Sequence, residues 1–247
     1  MADEKLEREL YVVGAGPGDP ELITLKAYRV LQRARVILYD NLANQELLDL
    51  VPESCEKIYV GKRPYGEYTP QERIHELILE KADEKGMVVR LKGGDPFIFG
   101  RGFEEILFAR EHGISTFYIP GITSMQAAGF ADVPLTHRTL SEGIWVLTGT
   151  KKDGKLSSDL RLAMQSNATV VVYMGMKKLQ EIADTYVNEG KGETPAAIIQ
   201  HATLARQKSG AGRVKDLPAI AAHHQLTHPS IIIIGEVVGI HFNPVYR

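Results

Sequence analysis

The chain has 247 residues, 44% of them hydrophobic, which is enough for one large α/β domain or two small ones with buried cores. Its 29 lysines and arginines nearly balance 31 aspartates and glutamates, so the net charge of -2 gives no overall reason to expect a nucleic-acid partner. The single cysteine, Cys55, excludes an intramolecular disulfide and a cysteine-based metal cluster within this sequence, which fits a reducing compartment.

Two features bear on location. The first ten residues are highly charged and contain no apolar segment typical of a signal peptide. The longest apolar run, residues 231–234 with their neighbours, is too short to span a bilayer. We therefore expect a cytoplasmic protein without a membrane partner.

The first half of the chain alternates strand and helix patterns, which favours a mostly parallel sheet. Predicted strands cover residues 10–13, 36–39, 57–60, 87–91 and 116–119. Predicted helices cover residues 22–34, 70–85, 103–112 and 123–128. Thr69 is the expected N-cap of the second helix, and Gly86 is its expected end.

A glycine-rich loop, residues 14–19, follows the first predicted strand. Its glycine spacing is not G-x-G-x-x-G, and Pro17 removes an amide that a pyrophosphate would use, so we reject a Rossmann cofactor site. Two readings stay open: a tight turn between strand and helix, or a turn that lines a ligand cleft.

The strongest candidate for a binding site is the segment 87–105. A predicted strand ends there in Gly93 and Gly94, which allow a close backbone approach to a ligand, and Asp95 continues into a turn. Glu104 and Glu105 follow in the predicted first turn of a helix. Ligands usually bind at the carboxyl ends of strands in open α/β sheets. The alternative is that this segment only connects the strand to the following helix.

Two further charged residues follow predicted strands. Asp40 comes after the second strand, and Lys62 comes after the third. If the sheet is parallel, both share one edge with the segment Gly93 to Asp95 and with Asp19. Each charged residue taken singly is more typical of a solvated loop, but their placement after successive strands favours a ligand-binding site.

The alternation restarts after a polar, glycine-bearing stretch that suits a domain boundary. We predict an N-terminal α/β domain over residues 1–130 and a C-terminal α/β domain with a mixed sheet over 131–247. Predicted strands cover residues 144–147, 169–174, 196–200, 207–214 and 230–240, the fourth of them antiparallel. Predicted helices cover residues 177–187 and 217–224. The C-terminal histidines lack the helical spacing of zinc ligands, so no metal site is expected.

Several motifs resemble those of the uroporphyrinogen-III C-methyltransferases, within the tetrapyrrole methylase superfamily. The resemblance runs from about residue 10 to about residue 238 and is most specific around residues 93–102. The motifs occupy residues 12–19, 39–40, 59–63, 89–102, 120–124, 134–138 and 173–175. The resemblance implies two α/β domains with S-adenosyl-L-methionine bound between them, and a homodimer. It also implies transfer of two methyl groups to uroporphyrinogen III, which gives precorrin-2 for the synthesis of sirohaem, cobalamin or haem d1.

The resemblance also implies roles for individual residues. Cofactor contacts are implied at Pro17, Gly93, Gly94, Asp95, Ile98, Thr123, Ser124, Met174 and Ala202. A proton acceptor is implied at Asp40 and a proton donor at Lys62. Arg101 and Glu104 are implied to face the substrate.

The chemistry asks for such residues independently. After methyl transfer the macrocycle must lose a proton, and Asp40 is our first choice of base. Arg101 remains charged at ordinary pH, so a carboxylate clamp suits it better than a base, although we keep it among the catalytic candidates. The substrate's eight carboxylates suggest steering by basic groups on the same rim. These are Lys62, Arg63, Arg101, His137, Arg138, Lys151 and Lys152.

Two departures from the family pattern keep alternatives open. Thr150 stands where members usually have histidine, and Gly129 with Phe130 replaces a small residue plus tyrosine. A later precorrin methyltransferase and a non-catalytic homologue that binds the cofactor or tetrapyrrole are the alternatives. The sequence shows no dehydrogenase and ferrochelatase module, so we do not expect a trifunctional sirohaem synthase.

Overall fold

The computed structural model describes residues 6–61 and 69–242. Tertiary contacts divide the chain into two compact units, the first ending at Thr123 and the second beginning at Ser124. The predicted domain boundary after residue 130 lies slightly further along the chain and stays a prediction.

The first unit is built on a five-stranded, fully parallel sheet in the order β3-β2-β4-β1-β5. The strands are β1 (Glu9–Gly14), β2 (Val36–Tyr39), β3 (Glu56–Tyr59), β4 (Met87–Lys92) and β5 (Ser115–Ile119). All five predicted strands of this half are confirmed, and so is their parallel arrangement. Their carboxyl ends therefore lie at one edge of the sheet.

Helices cover both faces of this sheet. They are α1 (Leu25–Leu31), α2 (Gln71–Lys85) and α3 (Gly102–Glu111). On one face, Val13 and Leu91 pack with Leu31 of α1. On the other face, strand residues such as Val12 and Val88 pack with residues of α2 and α3. Residues that alternate along each strand thus reach two separate apolar layers.

Two helix starts differ from the sequence prediction. The helix predicted from residue 22 begins at Leu25, because Pro20–Leu22 forms a 3-10 turn and the Thr24 hydroxyl accepts a hydrogen bond from the Ala27 amide at 3.2 Å. The predicted N-cap at Thr69 is wrong, because the extended Pro70 occupies that position and provides no side-chain cap. Proline restricts the preceding residue to extended conformations, which keeps Thr69 out of the helix.

The second unit is built on a mixed sheet in the order β6-β7-β10-β8-β9. The strands are β6 (Ile144–Thr148), β7 (Thr169–Tyr173), β8 (Pro195–Gln200), β9 (Lys208–Arg213) and β10 (Ser230–Ile234). β6 runs parallel to β7, and β10 runs antiparallel to both β7 and β8. β6, β7 and β8 therefore share one direction. β9 pairs antiparallel with β8, as predicted.

Helices cover one face of the second sheet, and 3-10 segments cover the other. The helices are α4 (Asp159–Ala163), which the sequence prediction missed, α5 (Leu179–Asn188) and α6 (Leu217–His223). A 3-10 segment, Gln126–Ala131, replaces the helix predicted over residues 123–128 and packs on the opposite face. Within the ranges that the structure describes, none of the helices is long and apolar enough to cross a membrane.

The strand predicted over residues 230–240 is wrong in its second half. β10 ends at Ile234, Gly235 adopts a φ of 149°, and Glu236–Phe242 continues as a 3-10 helix. Val237 and Val238 are buried in this 3-10 helix, and a short apolar run in the sequence does not distinguish a strand from a buried helix.

Replacing Gly86 by alanine should destabilise the first unit. Gly86 ends α2 with a φ of 77°, and an added Cβ would lie 2.9 Å from the carbonyl oxygen of Glu7. We expect a loss of about 1–3 kcal/mol in the free energy of unfolding, measured by urea denaturation. Gly154→Ala is the matched control, with the same φ and open space around the added Cβ. Equal losses in the two variants would show that the clash with Glu7 contributes nothing.

Candidate functional site

The backbones of neighbouring loops pack against one another at the carboxyl edge of the first sheet. Gly16 and Gly94 exchange hydrogen bonds of 3.2 and 2.7 Å, which joins the loop after β1 to the loop after β4. A Cβ on Gly14 would lie 2.4 Å from the amide nitrogen of Gly121, and one on Gly121 would lie 2.2 Å from the carbonyl oxygen of Gly94. Three loops can therefore meet here only because these positions carry no side chain.

A fourth loop joins them at Gly93. A Cβ on Gly93 would lie 2.6 Å from both the Cβ and the carbonyl oxygen of Leu42, which belongs to the loop after β2. The predicted site loop is thus in contact with the segment that follows Asp40. This places Pro17, Asp40, Gly93 and Gly94 at one edge of the sheet.

Asp95 uses its carboxylate inside the first unit. Its Oδ1 accepts a hydrogen bond from the Phe97 amide at 2.8 Å, and its Oδ2 accepts from the Tyr118 hydroxyl at 2.6 Å and the Gly121 amide at 3.1 Å. Burial and this contact raise the pKa of Tyr118 above its usual range, so the phenol remains a donor. Asp95 therefore ties its own loop to the end of β5.

The loop beyond Asp95 has unusual backbone geometry. Phe99 and Arg101 both adopt positive φ values, 53° and 59°, which are unfavourable for residues with side chains. Arg101 directs its guanidinium to both carboxylate oxygens of Glu104, with Nε and Nη2 donating over 2.6–3.1 Å. This hydrogen bonding holds the pKa of Glu104 below its usual range. The two predicted substrate residues form one half-exposed ion pair.

Asp40 is fixed at the same edge through both of its oxygens. Oδ1 accepts from the Leu42 amide at 3.0 Å, and Oδ2 accepts from Nη2 of Arg90 at 2.9 Å. The Asp40 side chain is 22% exposed, whereas that of Arg90 is 3% exposed. The Asp40 carboxylate is thus held by the protein through both oxygens and is still reached by solvent.

A buried ionic cluster lies beneath Asp40. Oε1 of Glu105 accepts from Arg90 Nε at 3.4 Å, from Lys92 Nζ at 2.9 Å and from Gln71 Nε2 at 3.2 Å. Burial alone would raise the pKa of Glu105, but Arg90 and Lys92 hold it below its usual range. Burial lowers the pKa of Lys92, and the neighbouring Arg90 lowers it further.

Sequence reasoning missed Arg90 and Lys92 and interpreted Glu105 only as a favourable charge at a helix start. A signal was present, because charges at alternate positions of an otherwise apolar strand must share one face of a buried sheet. Only the fold shows that α3 brings Glu105 against that face.

The remaining predicted residues of the first unit have varied exposure. Pro17 is partly buried, Ile98 is 37% exposed and Thr123 is buried. The predicted proton donor, Lys62, lies outside the residues that the structure describes, as does Arg63.

The second unit gathers Thr150, Met174 and Ala202 at one edge, where they follow the carboxyl ends of β6, β7 and β8. The Thr150 hydroxyl donates to the Met174 carbonyl at 3.0 Å. Met174 adopts a φ of 54° and is half exposed, whereas Ala202 is buried. A Cβ on Gly149 would lie 2.5 Å from the Cα of Gly175, so the two loops pack closely.

The other predicted residues of the second unit lie on the segment before β6. The Ser124 carbonyl accepts from the Ala127 amide, and the next amide, of Met125, donates to the Tyr173 hydroxyl at 2.9 Å, which ties this segment to the end of β7. His137 lies in a turn closed by a hydrogen bond to Ser141, and the Arg138 side chain is exposed.

Both α/β units place glycine loops and polar groups at the carboxyl ends of parallel strands. This arrangement is typical of α/β enzymes that bind small-molecule ligands. The sequence profile of the tetrapyrrole (corrin/porphyrin) methylases matches residues 9–218, so the chain belongs to this family. The resemblance seen in the motifs and the predicted fold class are both confirmed.

Solved structures support the same family. The uroporphyrin-III C-methyl transferase of Thermus thermophilus, complexed with S-adenyl homocysteine, is 39% identical with a TM-score of 0.81, over 94% of this chain and 99% of that one. A cobalt precorrin-4 methyltransferase is 27% identical with a TM-score of 0.82, over 93% of this chain and 95% of that one.

Curated relatives are siroheme synthases. The one from Chromobacterium violaceum is 45% identical over 93% of this chain and 49% of its own length. One from Pseudomonas aeruginosa is 44% identical over 93% of this chain and 50% of its own length. The chain thus spans about half the length of these relatives, and the expectation that it is no trifunctional enzyme stays a prediction.

Replacing Gly121 by alanine should separate the loops at the carboxyl edge. Its Cβ would meet the backbone of both Gly94 and Gly14, which cannot move as a flexible side chain can. We expect a loss of about 1–3 kcal/mol in the free energy of unfolding, measured by urea denaturation. Gly129→Ala is the control, since nothing lies within 4 Å of the added Cβ. Full stability of Gly121→Ala would contradict the close approach.

Glu105→Gln should change the acid stability of the protein. The lowered folded-state pKa means that Glu105 contributes stability above the ordinary value of 4.5 and loses that contribution as pH falls through the folded-state pKa. Unfolding free energy measured against pH should therefore fall less steeply below 4.5 in the variant. At neutral pH the variant should lose about 3–5 kcal/mol, because Arg90 and Lys92 lose a buried partner. The exposed Glu111→Gln is the control, and equal acid slopes in wild type and Glu105→Gln would contradict the expectation.

Proposed function

We propose that this chain transfers two methyl groups from S-adenosyl-L-methionine to ring carbons of uroporphyrinogen III, giving precorrin-2 for sirohaem or cobalamin synthesis. The observation that carries the proposal is the match, over nearly the whole of both chains, to the uroporphyrin-III C-methyl transferase complexed with S-adenyl homocysteine. The fixed and partly exposed Asp40 at the carboxyl edge supplies the base that this reaction needs.

The residues present fit such a cofactor. At the carboxyl edge of the first sheet Gly93 is only partly buried, and Ile98 and Met174 offer partly exposed apolar side chains. We assign the cofactor contacts to Pro17, Gly93, Gly94, Asp95, Ile98, Thr123, Ser124, Met174 and Ala202. Because its carboxylate already accepts three hydrogen bonds, Asp95 acts by shaping the loop.

When bound, S-adenosyl-L-methionine supplies an electrophilic methyl group on a sulfonium. A ring carbon forms the new bond to this methyl, and the electron pair of the broken carbon–sulfur bond stays on sulfur as a neutral thioether. Each transfer leaves a positive charge on the macrocycle, which is relieved by loss of one proton. Asp40 accepts that proton, and the protein's larger contribution is to hold the two carbons and the sulfur in line.

The substrate's carboxylates require cationic partners. Arg101 and Glu104 form an exposed ion pair that already orients the Arg101 guanidinium. A substrate carboxylate that takes the place of the Glu104 carboxylate makes the same bidentate contact with Arg101. We assign further substrate contacts to His137 and Arg138, proton donation to Lys62, and a supporting catalytic role to Arg101.

The wider setting follows from the same proposal. We infer that the protein works as a homodimer in the cytoplasm, on uroporphyrinogen III and precorrin intermediates, with residues 1–130 and 131–247 as its domains. No nucleic-acid or membrane partner is part of the proposal.

The decisive measurement is anaerobic incubation with uroporphyrinogen III and S-adenosyl-L-methionine, followed by mass analysis of the product. We expect a product with two added methyl groups, and a fall of about 10²–10⁴-fold in kcat for Asp40→Asn, since general-base catalysis contributes that much. Asp83→Asn, which removes only an exposed ion pair with Arg8, is the matched control.

Three outcomes would overturn parts of the proposal. Turnover of a later precorrin but not of uroporphyrinogen III would indicate a later methyltransferase. Cofactor binding without turnover of any tetrapyrrole would indicate a non-catalytic homologue. Full activity of Asp40→Asn would remove Asp40 as the base.

A further inference from the structure

Four charged side chains of alternating sign run from the carboxyl edge into the core of the first unit. They are Asp40, Arg90, Glu105 and Lys92, joined in that order by contacts of 2.9, 3.4 and 2.9 Å. The exposed fraction falls from 22% at Asp40 to 3% at Arg90 and 0% at Glu105. Only the first member of this ionic chain reaches solvent to a substantial degree.

Arg90 has little freedom to reorient. Its Nη2 binds Asp40, its Nε binds Glu105, and its Nη1 donates to the Leu91 carbonyl at 2.8 Å and the Leu38 carbonyl at 3.4 Å. All three guanidinium nitrogens are engaged, and the strand backbone holds one of them. A group so constrained can fix the direction of the carboxylate that it binds.

Glu105 lies at the centre of this ionic chain, and its two carboxylate oxygens have different surroundings. Its Oε1 accepts from Arg90, Lys92 and Gln71, whereas its Oε2 is buried and has no hydrogen-bond partner among the described residues. Apolar side chains of similar volume can often replace buried ion pairs without loss of stability. The position of this cluster directly beneath Asp40 therefore points to a role in the chemistry.

We propose that Arg90 is a positioning residue that orients Asp40 as the proton acceptor, and that Glu105, held in place by Lys92, offsets the positive charge of Arg90. The inference rests on the proposed function, because it concerns the proton that methyl transfer releases. It deepens that proposal by adding three buried residues to the machinery of one base.

The charge balance gives the expected signs. Arg90 alone would stabilise the ionised carboxylate and make it a weaker base, whereas the anion of Glu105 opposes this effect. Among the described residues, neighbouring ionisable groups include His75 of α2, which contacts Gln71, and Tyr59 of β3, whose hydroxyl donates to Asn41 at 2.5 Å. Glu104 of α3 is a further one, because Arg101 and also Lys92 lower its pKa.

The test compares pH profiles of kcat/KM for methyl transfer in variants that change the charge in opposite directions. In Arg90→Gln the acidic limb should move to higher pH by roughly one unit, because the carboxylate loses its cation. In Glu105→Gln the limb should move to lower pH, because the charge of Arg90 is no longer offset. Both variants should lower the plateau by about tenfold or more, as part of the general-base contribution is lost.

Arg90→Lys separates orientation from charge. It retains the cation but not the fork of donors, so the plateau should fall while the acidic limb stays near that of wild type. Arg73→Gln, which removes an arginine from exposed ion pairs on α2, is the matched control and should change neither. If Arg90→Gln does not fold, Arg90→Lys and Glu105→Gln still give the two distinct results.

Shifts in the same direction, or equal rate losses without any shift, would show that the cluster is structural only. A second readout does not depend on turnover: the ¹³C signal of the Asp40 carboxyl, assigned by its loss in Asp40→Asn, is titrated in wild type and variants. If the Asp40 titration moves in opposite directions in Arg90→Gln and Glu105→Gln but the wild type is inactive, the proposed function is refuted and the charge balance is supported. Activity without these movements would refute only the present inference.

Discussion

Close contact between backbones at Gly14, Gly94 and Gly121 is the constraint on which the candidate site depends. Four strands of the first sheet end in loops that would otherwise be held apart by their side chains. With the side chains absent, amides and carbonyls of neighbouring loops bind one another, and Asp95 adds a carboxylate that joins the β4 loop to the end of β5. A closely packed edge results, which suits the exact placement of a bound ligand.

The ionic chain beneath Asp40 shows a different use of the same sheet. β4 contributes to both apolar layers, yet on the α3 face only Val88 is apolar, and the two side chains that follow it there, Arg90 and Lys92, are cations. Their burial is unfavourable unless they are paired, and Glu105 supplies that pairing from the first turns of α3. A helix that packs against the sheet thus also completes the electrostatics of a residue at its rim.

The sequence predicts the fold better than it predicts the site. Alternation of apolar strands and amphipathic helices locates every strand, because strands such as β2 and β4 lie between clear glycine and charge signals. It fails at Gly235, where burial looks the same for a strand and a 3-10 helix, and at α4, which is too short for a periodic signal. Motifs indicate Asp40 and the Gly93 loop, but the partnership of Arg90 with Glu105 depends on packing between β4 and α3, which local patterns do not carry.

Thr150 links two loops of the second unit through its side chain. The family resemblance implies a histidine at this position, whereas in this chain the threonine hydroxyl donates to the Met174 carbonyl at the edge of the second sheet. An imidazole gains or loses a proton near neutral pH, whereas a hydroxyl does not. The hydrogen bond between the β6 and β7 loops therefore uses a donor whose protonation does not change across the physiological pH range.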